Sequence, residues 1–434
     1  MPEIDINKKD NINKKHNISK VLVIAYYFPP MGLSGVQRTL KFVKYLPEYN
    51  WQPIVLTTGI TKYYAFDDTL LDELGETIIY RTEKDPFNIR NKKNNTTINF
   101  PSPLKQKIRR LLLQSIFIPD SRKRWKKYAV ALGETIIEEH PDIKLIYATG
   151  PPFTDFLIAN ELSEKYNIPF VIDYRDLWAD NSQYFFPTPF HKRKHISLEA
   201  NIHTNASKSF VITRQMKEKI ISRYRFIRHQ DICIIPHGFD KADFNHIDIQ
   251  HNPNKLVIAH SGIFPDDRTP KYFLKAILKF LNANPNAKNK IELRFIGLLQ
   301  MKYINLIKKY NLDKIVNITG YLPHLEAVKQ IMSADILWLM LNNNIETPGK
   351  FFEYIGTKKP ILIMLPDSAI KQIAEEYKAS FITPPKDINK IAVKIEEIYS
   401  LWKQNKLPAP DDDFVKQFDR KYLTFMLAKE MASL

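Results

Sequence analysis

Two glycines shortly after the first apolar run of the chain could let the backbone approach an anion closely. The run covers residues 21–25, the loop Gly32-Leu33-Ser34-Gly35 follows it, and residues 36–45 have apolar side chains at helical spacing. Backbone amides at the start of such a helix bind phosphate groups. The loop lacks the G-x-G-x-x-G spacing of dinucleotide enzymes, which disfavours a nicotinamide-dependent enzyme and leaves a plain tight turn as the alternative.

A charged group follows a later apolar run. Asp173, Arg175 and Asp176 come at the end of residues 170–173. If that run is a parallel strand, these side chains lie at the carboxyl edge of the sheet, where open α/β folds bind their ligands. The alternative is an internal network in which the arginine pairs with its neighbouring acids.

The elements that must position these residues are apolar runs that alternate with helix-like segments. The runs lie at residues 21–25, 54–56, 145–148, 170–173, 209–212 and 232–235, and then at 256–259, 291–296, 316–319, 336–341 and 360–364. A polar stretch at 240–254 separates the two groups. The pattern predicts an α/β protein with two doubly wound, Rossmann-like domains at residues 19–245 and 246–405. We expect residues 1–18 to be a mobile tail and 406–434 a helical segment that could cross back to the first domain.

Composition limits the class of protein further. The 434 residues include 44% hydrophobic residues, which excludes a disordered chain, and the length exceeds that of one small domain. With 64 Lys and Arg against 47 Asp and Glu, the net charge of +17 favours anionic partners, although a general compositional bias explains part of it. The single cysteine, Cys233, has no disulfide partner, and neither a signal peptide nor a membrane span is evident. We therefore expect a cytoplasmic protein.

Several short segments, taken in order, point to one known family. They are Tyr26-Tyr27-Phe28-Pro29-Pro30, Gly35-Val36-Gln37-Arg38, Thr149-Gly150-Pro151-Pro152-Phe153, Asp173-Tyr174-Arg175-Asp176-Leu177-Trp178, Ile235-Pro236-His237-Gly238-Phe239-Asp240 and Pro348-Gly349-Lys350-Phe351-Phe352-Glu353-Tyr354. Together they resemble the family 4 glycosyltransferases over roughly residues 20–400. The resemblance implies a GT-B fold, in which two Rossmann-like domains face a cleft and the carboxy-terminal one holds a nucleotide sugar. It also implies sugar transfer with retention at the anomeric carbon and without an essential metal.

The resemblance implies donor-binding roles for Gly35, Arg268, Lys350 and Glu353. Arg268 and Lys350 match positions that contact the diphosphate, and fixed cations stabilise the negative charge that gathers there as it departs. Solvated loop cations are the alternative for both. Glu353 resembles the second glutamate of a paired motif, and its carboxylate can accept hydrogen bonds from both ribose hydroxyls.

The first glutamate of that motif falls on Ile345, so this chain departs from the family pattern, and the nearest carboxylate is Glu346. Either Glu346 reaches the sugar as a catalytic residue, or backbone amides at 347–349 bind the sugar instead. In the first domain we expect Asp176 to orient or deprotonate the acceptor hydroxyl, and Asp173 and Arg175 to bind the acceptor.

A basic segment at residues 105–127 is the third feature. Residues 101–130 include nine basic residues and one acid. Apolar residues are interleaved with them, at Leu111-Leu112-Leu113, Ile116-Phe117-Ile118 and Trp125. This pattern suits attachment to an anionic membrane surface, and the alternative is an amphipathic helix pair with a solvated basic face. A nucleic-acid partner is disfavoured, because no recognised nucleic-acid-binding pattern accompanies the charges.

The sequence thus favours a glycosyltransferase that acts on a glycan or lipid-linked glycan hydroxyl in cell-surface polysaccharide synthesis. Two other functions stay open. A sugar-nucleotide epimerase would use the same two-domain scaffold, and a non-catalytic membrane-associated scaffold would explain the displaced first glutamate.

Overall fold

The computed structural model describes residues 18–32, 34–59, 63, 66–83, 111–181, 184–245, 249, 252–264, 268–342 and 347–434. The predicted tail lies outside this part of the chain apart from Ile18. Glu346 and the first part of the basic segment, residues 105–110, also lie outside it.

The first domain is built on a parallel sheet with the strand order β3-β2-β1-β4-β5-β6-β7. Its strands are β1 (Ser19–Ile24), β2 (Trp51–Thr58), β3 (Ile78–Thr82), β4 (Ile143–Gly150), β5 (Phe170–Tyr174), β6 (Lys208–Val211) and β7 (Ile232–Ile234). Its helices include α1 (Ser34–Tyr45), α2 (Lys126–Glu139), α3 (Thr154–Tyr166), α4 (Pro189–Asn205) and α5 (Arg214–Arg223). Apolar clusters cover both faces of the sheet, which explains why its central strands read as continuous apolar runs.

The second domain repeats this plan with the strand order β10-β9-β8-β11-β12-β13, again parallel. Its strands are β8 (Leu256–Ser261), β9 (Ile291–Ile296), β10 (Val316–Gly320), β11 (Ile336–Met340), β12 (Ile361–Met364) and β13 (Ser380–Thr383). Its helices are α6 (Lys271–Ala283), α7 (Met301–Lys309), α8 (His324–Met332), α9 (Gly349–Gly356), α10 (Ala369–Glu376) and α11 (Ile388–Lys403). The predicted α/β class with two doubly wound, Rossmann-like domains is confirmed.

Two strands escaped the sequence analysis. β3 and β13 each lie at an edge of their sheet and are short, with several residues only partly buried. Both are covered less completely than the central strands, and polar residues shorten their apolar runs, whereas the other two edge strands, β7 and β10, were predicted.

The chain ends in two helices, α12 (Asp412–Lys416) and α13 (Arg420–Met431), that pack on different domains. Phe418 joins the apolar core of the second domain, whereas Leu423 and Leu427 are buried in the first. Burial of each such leucine stabilises the contact by about 1.5–3 kcal/mol. At the junction of the two helices, the backbone N–H of Phe239 donates to the carbonyl of Phe418, and the N–H of Arg420 donates to the carbonyl of Phe239. The closing segment is therefore paired with residues 235–245, the hinge that leads out of the first domain.

Among the residues described, no helix combines the length and the apolar character that crossing a membrane requires.

Candidate functional site

A buried ion pair lies beneath the carboxyl edge of the first sheet. Arg38 on α1 donates through Nε and Nη2 to the two carboxylate oxygens of Asp173, over 2.8 and 2.7 Å, and Tyr147 donates to the same carboxylate over 2.8 Å. Arg38 is 1% exposed and Asp173 is 0% exposed. Burial by itself lowers the pKa of Arg38, but the charge of Asp173 outweighs it and raises that pKa. The Arg38 guanidinium is therefore charged inside the protein.

This geometry corrects the prediction for Asp173. Its carboxylate lies wholly inside the domain, with both oxygens already engaged, so it cannot contact an acceptor. The alternative of an internal ion pair applies, but the partner is Arg38 rather than the neighbouring Arg175. Arg38 also donates to the carbonyls of Ile235 and Pro236, which anchors the start of the hinge.

Arg175 connects the start of α1 with the segment after β4 at the carboxyl edge of the first sheet. Its Nη1 donates to the carbonyl of Gly35, in the first turn of α1, and its Nη2 donates to the carbonyl of Pro151, after β4. Gly35 thus lies in the helix start that the sequence predicted, with Arg175 packed against it. The next acid, Asp176, is exposed at this edge, and its catalytic role stays a prediction.

Lys350 lies in the first turn of α9 and reaches the end of β8. Its Nζ donates to Ser261 Oγ over 3.2 Å, and burial lowers the pKa of its ammonium group. The side chain crosses Gly262, whose φ is +121°, and a Cβ added there would lie 2.5 Å from Lys350 Cε. Glycine is required at 262 both for this backbone conformation and for the passage of the lysine. The sequence analysis did not identify Gly262; the signal for it was a glycine directly after an apolar strand.

Arg268 is the second predicted diphosphate contact. It precedes α6, and its carbonyl accepts a hydrogen bond from Tyr303 over 2.9 Å. Burial lowers the pKa of His260, on β8, to about 3, and the charges of Lys350 and Arg268 add to this lowering. The two predicted diphosphate contacts therefore act on one region, although they come from loops that are far apart in the chain.

Glu353 lies one helical turn after Lys350. It is close to His324, which in turn contacts two acids of the first domain. Glu353 Oε1 is 3.9 Å from His324 Nδ1, and His324 Nε2 is 3.0 Å from Asp243 Oδ2. The backbone N–H of His324 donates to Asp67 of the first domain over 3.0 Å. Burial lowers the pKa of His324, but Asp243 and Glu353 outweigh it and raise the pKa above its usual value. His324, which the sequence analysis did not single out, thus links the predicted ribose contact to the other domain.

Three acids near the hinge have the separation of metal ligands. Glu73, Asp240 and Asp243 each offer a carboxylate oxygen within 4.8 Å of the others. The ammonium of Lys41 lies among them, 2.6, 2.9 and 2.7 Å from these carboxylates. A lysine therefore already supplies the positive charge that a metal ion would bring.

Solved structures share this architecture at low sequence identity. Sucrose-phosphate synthase from Thermosynechococcus elongatus superposes with a TM-score of 0.64 at 12% identity, over 96% of this chain and 98% of that chain. Anabaena HepE in complex with UDP gives 0.62 at 13%, over 96% and 100%. UDP-GlcNAc 2-epimerase from Neisseria meningitidis, bound to UDP-GlcNAc, gives 0.58 at 12%, over 96% and 100%. These likenesses establish the fold.

Comparison with curated proteins gave no match. Two family models match adjacent parts of the chain. The model described as Glycosyltransferase Family 4 matches residues 37–243, and the one described as Glycosyl transferases group 1 matches residues 241–409. Both models describe glycosyltransferases, so the chain, with its two Rossmann-like domains in the GT-B arrangement, is a glycosyltransferase that resembles family 4.

Proposed function

We propose that this glycosyltransferase moves a hexose-type sugar from a nucleotide diphosphate sugar to a hydroxyl of a glycan or lipid-linked glycan, with retention at the anomeric carbon. The observation that carries the donor half of the proposal is the position of Lys350 at the end of β8, where it donates to Ser261, with Glu353 one turn along the same helix. Anabaena HepE has been solved in complex with UDP and with UDP-glucose, which supports a nucleotide sugar here.

In the proposed reaction, the bond between the anomeric carbon and the diphosphate oxygen breaks, and negative charge grows on the departing phosphate. Lys350 and Arg268 would stabilise this charge, together with backbone amides at the start of α9. The desolvated position of Lys350 strengthens its interaction with an anion. Because these groups supply the positive charge, we propose that the reaction needs no essential metal ion.

Acceptor activation is assigned to Asp176, which is exposed at the edge of the first sheet. Glu346 is kept as the candidate contact to the transferred sugar; it lies outside the described residues. Both assignments rest on the family resemblance and on the position of these residues in the chain.

Donor binding provides the first test. Glu353→Gln keeps the shape of the side chain but removes the charge that strengthens hydrogen bonds from ribose hydroxyls. We expect the affinity for UDP, or for whichever nucleotide stabilises the wild type best in a thermal-shift panel, to fall by roughly 10- to 100-fold, as for loss of charge-assisted hydrogen bonds. Isothermal titration calorimetry measures it, and Glu376→Gln, at an exposed position on α10, is the matched control.

The wild-type panel decides the whole assignment. If no nucleotide or nucleotide sugar raises its melting temperature, the proposed donor site is wrong. Because an epimerase shares this fold, incubation with the sugar nucleotide alone separates the two enzymes. A transferase gives at most slow hydrolysis, whereas an epimerase gives the isomerised sugar nucleotide.

We further propose that the enzyme works in the cytoplasm, on the inner face of the cell membrane. The helical residues 111–116 contact the start of α4 and the segment before it. Gln114 accepts a hydrogen bond from the backbone N–H of Phe185, and the Ser115 carbonyl lies 3.1 Å from His191 Nε2, in the first turn of α4. This brings exposed apolar side chains together, with Ile116 68% and Phe190 71% exposed.

Basic side chains flank these apolar residues. The exposed ones in the described part of the chain include Lys123, Arg124, Lys192 and Arg193. Trp125, by contrast, is buried and donates to Thr82 over 3.0 Å, so the expectation that it contributes to the membrane-facing surface is wrong. The membrane proposal therefore rests on Ile116, Phe190 and the basic residues beside them. Part of this set lies outside the basic segment at residues 105–127.

Flotation with lipid vesicles tests this surface. Wild-type protein is expected to float with vesicles that contain anionic lipid at low salt, and Ile116→Glu combined with Phe190→Glu is expected to remove most of the binding. The new carboxylates oppose both burial in the interface and attraction to the lipid. Leu325→Glu, at an exposed apolar position on α8, is the control. Wild-type protein that stays unbound at low salt would contradict the membrane assignment.

A further inference from the structure

An arginine at the start of α13 is buried and forms no ion pair with any residue that the structure describes. Arg420 is 3% exposed. Its Nη1 is fully enclosed and has no acceptor in the described part of the chain. A buried guanidinium normally has its donors satisfied, because burial removes the water that would otherwise solvate the charge.

The carboxylates near Arg420 are already engaged by other cations. Burial lowers the pKa of Arg420 to about 9, the charge of Arg38 adds to the lowering, and Asp173 and Asp240 oppose it. Asp173, however, is bound bidentately by Arg38. Asp240 lies 2.9 Å from the ammonium groups of both Lys41 and Lys44. Neither of these two carboxylates is therefore available to pair with the charge of Arg420.

Two other groups in the same region also have enclosed, unpartnered nitrogens. One is His237 Nδ1 and the other is Arg175 Nε, neither of which has a partner among the described residues. Burial lowers the pKa of His237 far below its usual value, and Arg38, Arg420 and Arg175 act in the same direction. Burial and the nearby positive charges therefore favour a neutral imidazole, which can donate or accept one further hydrogen bond.

The position of His237 places this group beside the donor domain. Its ring centroid is 6.1 Å from that of Phe352 on α9, the helix that carries Lys350 and Glu353. Arg175 lies on the other side, bound to the loops after β1 and β4. The unpartnered nitrogens thus lie between the proposed donor helix and the edge of the first sheet.

We propose that Arg420, His237 and Arg175 form a binding site for an oxyanion, a phosphate-type or carboxylate group, at the hinge between the domains. The planar guanidinium of Arg420 matches the two oxygens of such a group, and the bound anion compensates the charge that no protein carboxylate neutralises. The anion could be carried by the acceptor or could be free phosphate. Only its assignment to the acceptor rests on the proposed function.

Inorganic phosphate is the probe for the site. We expect phosphate to raise the melting temperature of the full-length wild-type protein beyond the effect of sodium chloride at equal ionic strength, since a ligand that binds only the folded state stabilises it. Arg420→Met, which keeps the length and removes the charge, is expected to abolish this response, and Arg420→Lys to weaken phosphate binding at least tenfold. Arg214→Met, at an exposed position on α5, is the matched control and is expected to respond as the wild type does.

The stability without phosphate separates an anion site from a merely structural arginine. Arg420→Met is expected to be at least as stable as the wild type in chloride buffer, because it removes an uncompensated buried charge. If that variant does not fold, Arg420→Lys carries the test. An absent phosphate response in the wild type, or an equal response in the Arg420 variants, overturns the proposal.

The source of the anion is distinguished by transfer assays with phosphorylated acceptors and their dephosphorylated counterparts. If the acceptor supplies it, Arg420→Lys raises KM for the phosphorylated compounds alone; if it is a free ion, the variant weakens phosphate binding and leaves that selectivity unchanged. UDP binding by the wild type is measured in the same buffer. Loss of the phosphate response with UDP binding intact contradicts the anion site only, whereas absent nucleotide binding contradicts the proposed function.

Discussion

Lys350→Ala is expected to lower the rate of sugar transfer by roughly 10³-fold, with the fold intact, since removing one preorganised group from a site of developing charge costs about 10²–10³ in turnover and this group carries a full charge. Its ammonium lies at the end of β8, against Ser261 and over Gly262, in a position where burial lowers its pKa. The low solvation that disfavours the free ammonium strengthens its attraction to a departing diphosphate. The side chain makes few contacts that a folded state would need, so the loss falls on catalysis.

The measurement is turnover with saturating nucleotide sugar, alongside circular dichroism to show that the variant is folded. Lys309→Ala removes an exposed lysine at the end of α7 and serves as the control, with near-normal turnover expected. If Lys350→Ala keeps turnover within a few-fold of the wild type, Lys350 has no role at the diphosphate.

Asp173→Asn is expected to reduce the free energy of unfolding of the first domain by about 3–5 kcal/mol, because it leaves the guanidinium of Arg38 buried without its counter-ion. The substitution keeps the size of the side chain, so the loss reports on charge rather than on a cavity. Asp173 also accepts a hydrogen bond from Tyr147, and Arg38 donates to two carbonyls of the hinge. The substitution is expected to weaken these contacts as well.

Urea denaturation followed by tryptophan fluorescence measures this loss, with Trp125 and Trp178 as buried probes of the first domain. Asp72→Asn is the control; it changes an exposed acid of the same domain and is expected to shift stability by less than about 0.5 kcal/mol. The double variant Arg38→Met with Asp173→Asn is expected to recover part of the loss, since neither buried charge is then left alone. An unfolding free energy for Asp173→Asn within about 1 kcal/mol of the wild type contradicts the importance of this pair.

The two predictions depend on different levels of structure. Lys350 and Glu353 are three residues apart on α9, so a helix alone brings them to one face, and the sequence pattern was sufficient to predict that. Arg38 and Asp173 are separated by 135 residues, and their pairing requires α1 to pack across β5. Neither residue's neighbours in the chain indicated the other as its partner.

The fold followed from the sequence where burial was complete. Central strands such as β1 and β8 are enclosed on both faces and therefore appear as unbroken apolar runs, whereas the edge strands β3 and β13 do not. The helical spacing of residues after Asp411 was also visible. Its division into α12 on the second domain and α13 on the first was not, because both segments present apolar residues and only the hinge pairing at Phe239 decides where each one packs.

The sequence by itself determined the alternation of strands and helices, the two-domain plan and the helix that carries Lys350 and Glu353. These depend on the local periodicity of apolar side chains and on short spacings along one element. Only the tertiary structure decided that Asp173 is an internal anchor, that His324 links Glu353 to Asp243, and that Arg420 is left without a carboxylate. The physical reason is that a charge finds its partner through space, and the distance between two charges depends on how the elements pack rather than on their separation in the chain.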